Sequence, residues 1–448
     1  MSIRSILITG NGFDRQCNLK TSYDEFFNSL SEEFSGVFEL VNSWMRADYG
    51  RFKSTPMTSN QRENELKRVR IKIQDLLLSF TPDKFTGIDI WMLIFNYLND
   101  KIKTDKRWVD IELLLKYFIM DEKEAGSFNS SNLHKRILSN ERNDFPTQDF
   151  DLYILSKIMD KLLNAKFENN ELFNRSIYLY KEFKSSGNST LFYDFLLNEL
   201  LRFEEKLKVY IYNECISNKD EYNQNAIELY KRVLKSNINT CYLLNFNYTL
   251  PDFKMGKDGN NVHGYIGEHD SMNKNHVIIG FDQWRTNSVR ADDKLFDENT
   301  YIFTKTFRKL FQKTTLNVQT LPSKESLERI YFYGHSLGDS DYSYFFSLFD
   351  YYSLYDSKVV LEFAYTLFVS VPGNVIIESL RRSITRLILT YGTTMANKDH
   401  GKNLLHKLLL ENRIVFTEIA DLKIVLQPII VQDEENFDEV QSVLDYGT

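Results

Sequence analysis

Four short clusters in this chain combine residue types that can bind and turn over a small molecule. The first, Gly10-Asn11-Gly12-Phe13-Asp14, follows an apolar run. Two glycines there let the backbone turn tightly and approach a phosphate, while the next helix points its N–H groups at the anion. A full dinucleotide fingerprint would carry a third small residue at position 15. This chain has Arg15, so a plain tight turn is the competing reading. Asp14 either bonds ribose hydroxyls or caps the following helix. The second cluster, Asn245-Phe246-Asn247-Tyr248-Thr249, closes another apolar run. An asparagine amide both donates and accepts, so Asn247 can orient a water or a sugar hydroxyl, or serve only as a turn residue. In the third, His263-Gly264, the imidazole can act as a general base with a pKa near working pH, or as a structural hydrogen-bonder. His269 and His276 are near in sequence but match no metal-ligand spacing.

The fourth cluster, Gly334-His335-Ser336-Leu337-Gly338-Asp339-Ser340-Asp341, contains the G-x-S-x-G spacing of a nucleophile elbow. A serine hydrolase built on it needs a downstream histidine. Only His400 and His406 follow, both in a segment, 397–410, patterned as a surface helix. Asp14, Asp339 and Asp341 offer a different chemistry, hard carboxylate ligands for Mg²⁺ in a nuclease. Glu112 sits one turn after Trp108 at the start of an apolar helical pattern. It either faces the interior, where a buried carboxylate needs a partner, or lies on the exposed helix edge.

Positioning these clusters requires strands that end at them. Ser5-Ile6-Leu7-Ile8-Thr9 is apolar without alternation and stops at a glycine, the pattern of a strand buried on both faces of a parallel sheet. Similar runs at Thr240 to Asn245, His276 to Gly280, Arg329 to Tyr333, Lys358 to Phe363 and Arg413 to Thr417 predict its partners. Between the first and second runs the pattern is helical. Trp108, Ile111, Leu115 and Phe118 recur at helical spacing, as do Leu196, Leu200, Phe203, Leu207 and Ile211, and 61–72 has one charged and one apolar face. Loops at Gly126-Ser127 and Gly187-Asn188 interrupt it. The expected organisation is α/β. Residues 1–30 carry the first strand and helix, 31–236 form a mainly helical insertion, and 237–448 complete the sheet and end in an acidic tail.

Composition narrows the function classes. A length of 448 residues points to two domains or to one with a large insertion. The formal charge of −7 offers no general attraction to nucleic acid. Three scattered cysteines, Cys17, Cys215 and Cys241, suit a reducing compartment, with neither a disulfide scaffold nor a structural zinc. No run approaches the roughly 20 apolar residues of a membrane span, and the first residues lack a signal-peptide pattern. A cytoplasmic location is expected.

With Leu19-Lys20-Thr21-Ser22-Tyr23, Trp108 to Glu112 and Ile279-Gly280-Phe281-Asp282, the four clusters resemble, in order, the motifs of the AbiH abortive-infection family from residue 5 to about 350. The resemblance implies a role in stopping phage propagation, often at the expense of the infected cell, and leaves the reaction open. A more distant likeness to sirtuin-like NAD-binding domains implies a Rossmann-like sheet with NAD as substrate. In that likeness Gly10, Asn11 and Gly12 fall at the glycine turn that cradles NAD, and Asn247 on the asparagine that positions the reacting ribose. His263-Gly264 falls on the histidine-glycine pair and Gly334-His335-Ser336 on a loop near the adenosine half, with Phe13 and Asp341 counted among the cofactor contacts.

Two departures matter. Thr249 stands where the sirtuin pattern has an acid, and the zinc-binding cysteine quartet is absent, which argues against deacetylation. The expected reaction is therefore NAD⁺ hydrolysis, with Asn247 orienting, His263 accepting a proton and Asp14 holding ribose or nicotinamide groups. The expected partners are a nucleotide substrate, a phage-encoded trigger and further copies of the chain, with the insertion sensing infection or mediating assembly. A metal-dependent nuclease, a non-catalytic nucleotide-binding sensor and the serine hydrolase are the alternatives.

Overall fold

Ser5–Thr9 forms strand β1 with every residue buried, as a non-alternating apolar run requires when both faces are covered. The computed structural model that contains it describes residues 3–30, 87–101, 111–120, 170–235, 240–251, 259–266, 276–282, 298–310, 321–367 and 372–422, with isolated positions at 58, 60, 61, 64, 68, 159 and 160. The later strands are β2 (Cys241–Asn245), β3 (Gly259–Asn261), β4 (Gly264–Tyr265), β5 (His276–Val277), β6 (Arg329–Tyr333), β7 (Val360–Tyr365) and β8 (Ile414–Glu418). Between β1 and β2 come α1 (Asn11–Gln16), a helical segment at 23–30, α2 (Ile90–Lys101), α3 (Ile111–Met120), α4 (Glu171–Ser186), α5 (Ser189–Ser217) and α6 (Lys219–Leu234). After β5 follow α7 (Glu298–Tyr301), α8 (Lys305–Leu310), α9 (Tyr342–Tyr351), α10 (Gly373–Thr394) and α11 (Lys398–Leu410).

The main sheet has the order β3-β2-β1-β6-β7-β8, and every pairing in it is parallel. Thr9 stands opposite both Asn245 and Tyr333, so the loops after β1, β2 and β6 leave the sheet side by side. The strand order reverses between β1 and β6. Open α/β sheets bind ligands beyond the carboxyl ends of their strands at such a reversal, because the two flanking loops diverge there and leave a crevice.

The run from His276 to Gly280 does not become a strand of this sheet. His276–Val277 instead pairs antiparallel with β4 in a separate two-stranded ribbon. The sheet's outer strand is the polar triplet Gly259–Asn261, held on β2 by backbone bonds and by the Val262 N–H, which donates to Asn245 O at 2.8 Å. A three-residue edge strand needs backbone pairing and little apolar area, so it leaves no hydrophobic signal. The runs placed at Lys358 and Arg413 start instead at Val360 and Ile414.

Alternate residues along each strand feed two cores. Leu7, Leu243, Tyr331, Tyr333 and Ala364 pack on one face with the helices between β1 and β2. Ile6, Ile8, Leu244, Phe332 and Phe363 pack on the other with α9, α10 and α11. The helical region thus shares its core with the sheet. On α5 the predicted positions Leu196, Leu200, Phe203, Leu207 and Ile211 are all buried. The Gly187-Asn188 loop is also as expected: Gly187 ends α4 at φ 69°, and Asn188 Oδ1 accepts from the Thr190 N–H at 2.9 Å to start α5. Glu204 ties α5 to the sheet side of the molecule, accepting two bonds from Arg308 at 2.5 and 2.6 Å and one from the Ile279 N–H at 2.6 Å.

Trp108, Gly126-Ser127, the acidic tail and most of 61–72 lie outside the described residues. Among the described residues no helix is long and apolar enough to cross a membrane.

Candidate active site

Side by side at the carboxyl ends of β1, β2 and β6, the three loops border a cavity of about 370 Å³. Gly12, Asn247, His263 and Ser336, far apart in sequence, all line it. Gly10, Asn11, Asp14, Gly334, His335 and Asp341 line it too. Phe13, counted among the cofactor contacts, does not. Its ring turns into the core, 4.6 Å from Tyr230 and edge-on to Tyr333.

The glycines of the two turns serve each other. A Cβ on Gly12 would stand 2.8 Å from Gly334 Cα, and one on Gly10 would stand 2.7 Å from His335 Cα. Gly334 has φ +68°, a conformation that disfavours any side chain, and its own Cβ would come within 2.2 Å of Phe13 N. The N–H groups of Gly10, Gly12 and Phe13 donate to the carbonyls of Tyr333, Gly334 and Gly10. A pyrophosphate therefore finds these three amides already engaged, contrary to the cradle expected from the Gly-x-Gly spacing. Close packing of two loops across the strand reversal is what the glycines permit.

Asp14 is likewise occupied. Its Oδ1 accepts from Asn247 Nδ2 and from the Tyr222 hydroxyl, both at 3.1 Å, and its Oδ2 accepts from Thr249 Oγ1 at 2.7 Å and Thr21 Oγ1 at 3.2 Å. Four donors fill the four lone-pair sites of a carboxylate, so Asp14 organises the site's wall and does not wait for ribose. It does not cap α1 either, since Gly10 is the N-cap and no side chain bonds there. Burial outweighs the four bonds and pushes its pKa up to about 6. Thr249 fills the place of the missing acid as a donor to Asp14, where a second carboxylate would repel it.

Asn247 Nδ2 gives its two protons to Gly10 O and Asp14 Oδ1, both at 3.1 Å. Both partners are acceptors, which fixes the orientation of the amide. The part of Asn247 left for the cavity is its carbonyl oxygen, so it serves as an acceptor only.

His263 is held from both sides in sequence. Its carbonyl accepts from the Ile278 N–H at 2.9 Å. Gly264 follows at φ +122°, where a Cβ would stand 2.4 Å from His276 O, so only glycine lets the chain turn at this histidine. The Nε2–H donates to Asp341 Oδ1 at 2.9 Å. Nδ1 is then the bare nitrogen, buried, with no hydrogen-bonding partner among the described residues. Burial first, and the Lys305 cation second, lower the pKa from 6.5 to about 4, so the ring is neutral at pH 7 rather than poised near it.

One residue beside this pair, Lys305, carries no signal in the sequence clusters, whereas its neighbours His335 and Glu112 were singled out there. Lys305 Nζ donates to Asp341 Oδ1 at 2.7 Å, to Glu112 Oε2 at 2.8 Å and to Ser340 O at 3.3 Å. Burial opposes its charge, but its two carboxylate neighbours together outweigh that and raise its pKa. Asp341, which burial alone would push up, is held well below the usual carboxylate range by Lys305 and the His263 bond. His335 accepts the Leu337 N–H on Nδ1 at 2.9 Å and turns Nε2 to Asp341 Oδ2 at 3.4 Å. Glu112 thus faces inward with a cationic partner. The Ile279-Gly280-Phe281-Asp282 motif explains how Lys305 and Asp341 are placed. A Cβ on Gly280 would stand 2.8 Å from Lys305 N, Phe281 O accepts the Lys305 N–H at 3.1 Å, and Asp282 accepts from Ser343 N and Oγ at the start of α9. The motif was visible in sequence; the lysine it fixes was not.

The other chemistries fare worse. His400 stacks on Tyr355 at 4.1 Å on α11, and neither it nor His406 lines the cavity, so Ser336 has no downstream base there. Positive φ falls on Gly334 and Leu337 and not on Ser336, unlike a strained nucleophile elbow. Among the described residues no three His, Cys, Asp or Glu side chains group as metal ligands, so Asp14, Asp339 and Asp341 do not converge.

A family model described as bacteriophage abortive infection AbiH matches residues 6–365. The chain belongs to the AbiH family. The matched span of this AbiH chain ends with β7 and contains every residue that lines the cavity, whereas α10, α11 and β8 lie beyond it. No curated protein and no solved structure matches the chain.

Proposed function

We propose that this AbiH chain, on a Rossmann-like sheet, acts in abortive infection by hydrolysing NAD⁺ at the bond between nicotinamide and ribose. The order β3-β2-β1-β6-β7-β8 supports the sheet reading, since doubly wound dinucleotide-binding sheets run 3-2-1-4-5-6. The observation that carries the reaction is the buried, unpartnered Nδ1 of His263 in a cavity shared with Asn247.

As the bond to nicotinamide breaks, the ribose carbon takes on positive charge and nicotinamide leaves neutral. Asp14, Glu112 and Asp341 line the cavity and favour that charge. A neutral His263 does not repel it. Water adding to the ribose carbon becomes a strongly acidic oxonium, so a base with a pKa of about 4 suffices to take its proton. Asn247, through its carbonyl oxygen, holds a ribose hydroxyl or the attacking water. The products are nicotinamide, ADP-ribose and a proton, released from His263 to solvent. For the pyrophosphate, Arg15 on the exposed rim of the cavity offers the cation that the engaged glycine amides do not replace.

The test is nicotinamide release by purified full-length protein from NAD⁺, with and without lysate of phage-infected cells. Release is expected, and His263→Gln should lower it by ~10²–10⁴. NAD⁺ left intact by folded protein in both conditions overturns the reaction, and binding without release would assign the cavity to sensing.

A further inference from the structure

Lys305 is almost wholly buried and its three protons are spent on Asp341, Glu112 and Ser340. It has none left for His263 Nε2, which lies 3.5 Å away. Its charge nevertheless acts on the ring at that distance, and Asp341 Oδ1 is shared by the lysine and the Nε2–H. Glu112, the second anchor of the lysine, comes from α3, in the helical region far from the sheet in sequence.

We infer that the Glu112–Lys305 ion pair positions Asp341 and His263 so that the buried Nδ1 stays unprotonated, an inference that rests on reading His263 as the proton acceptor. Without the lysine, Asp341 and Glu112 would be two buried carboxylates with no cation between them, and a proton on His263, whose Nε2–H already contacts Asp341, would supply the missing positive charge at Nδ1. A proton there closes the acceptor. With the lysine in place, one buried cation already satisfies both acids, and a second positive charge beside it is disfavoured. Lys305 and Glu112 are positioning residues in this scheme, since neither donates to the ring. The helical region thereby contributes a charge on which the ring's state depends.

Other groups face His263 from every side. His335 and Asp341 come from the segment after β6, Tyr344 from α9 with its ring 5.6 Å away, and Lys309 from α8, donating to Val262 O at 3.0 Å. Of the acids among them, Asp341 touches the ring nitrogen, and Lys305 bridges it to Glu112, so changing the bridge should dominate over the rest.

The experiment is histidine-labelled NMR of the full chain, with the His263 signal assigned by its loss in His263→Gln. At pH 7 the wild-type ring should be neutral with a bare Nδ1. Lys305→Met should raise its protonation midpoint by at least about one unit, a tenfold gain in proton affinity. Glu112→Gln keeps an acceptor for the lysine while removing a negative charge, so the midpoint should fall. It also serves as the second test if Lys305→Met fails to fold. Nicotinamide release, if present, should keep its KM in Lys305→Met while the acid limb of its kcat profile moves to higher pH together with the His263 midpoint. Midpoints that stay put, or move together in both variants, overturn the inference and assign the bridge to stability alone. Midpoints that move as stated in a protein that never releases nicotinamide overturn the proposed reaction and leave the positioning role standing.

Discussion

Asp341 accepts from two histidines at once, His263 on Oδ1 at 2.9 Å and His335 on Oδ2 at 3.4 Å, with Lys305 on Oδ1 at 2.7 Å as counter-charge. One carboxylate therefore fixes the tautomer of His263. Asp341→Asn would let an amide N–H face Nε2 and move the ring proton to Nδ1. Nicotinamide release should fall by ~10²–10⁴, the usual worth of a positioned base. Breaking a buried charge pair on one side costs about 3–5 kcal/mol of stability, so the circular dichroism of the variant has to be followed beside its turnover. Undiminished turnover would mean that the tautomer is immaterial.

Two buried groups set opposite pH dependences. The Asp14 carboxyl rises from 3.8 to about 6, so its contribution to stability is full below pH 3.8 and lost as pH climbs through 6. The His263 imidazole falls from 6.5 to about 4, so its contribution is full above pH 6.5 and lost as pH drops through 4. In the wild type the two slopes nearly cancel over that window. Asp14→Asn should leave stability rising with pH between 4 and 6, and His263→Gln should leave it falling, each by about 3 kcal/mol at 1.36 kcal/mol per unit. Urea unfolding at half-unit steps of pH measures this, and equal slopes in all three proteins would refute it.

Loop packing across the strand reversal should be intolerant of a single methyl group. Gly334→Ala places a Cβ 2.2 Å from Phe13 N in a left-handed conformation, and a loss of more than about 2 kcal/mol is expected. Gly338→Ala, whose Cβ meets nothing nearer than Ser336 Oγ at 3.5 Å, should stay within about 0.5 kcal/mol. Thermal unfolding of the pair compares them directly, and equal melting temperatures would contradict the packing.

The attachment of α5 to the sheet side rests on a charge that must not be orphaned. Glu204 is buried, and burial raises its pKa despite Arg308. Arg308→Met should cost about 3–5 kcal/mol by stranding the carboxylate, and adding Glu204→Gln should restore much of that. A double variant no more stable than Arg308→Met would show that the pair contributes little.

The sequence alone determined the strands that end at the site, because a buried parallel strand must be apolar on both faces and glycine must follow where the chain turns sharply. Ser5–Thr9, Cys241–Asn245 and Arg329–Tyr333 were legible from that apolar character, the first and third also from the glycine that follows them, and the clusters that carry Asn247, His263 and Asp341 were legible as well. α5 was legible from its apolar spacing. Tertiary structure alone decided what these residues face. Gly10 and Gly12 read as a phosphate cradle and instead receive the Gly334 loop, because sequence shows that a backbone can approach closely but not what it approaches. Lys305 shows no local pattern at all. Its role depends on carboxylates 193 and 36 residues away (305 − 112 and 341 − 305), and electrostatic partnership acts through space between groups that only the folded chain brings within 3 Å.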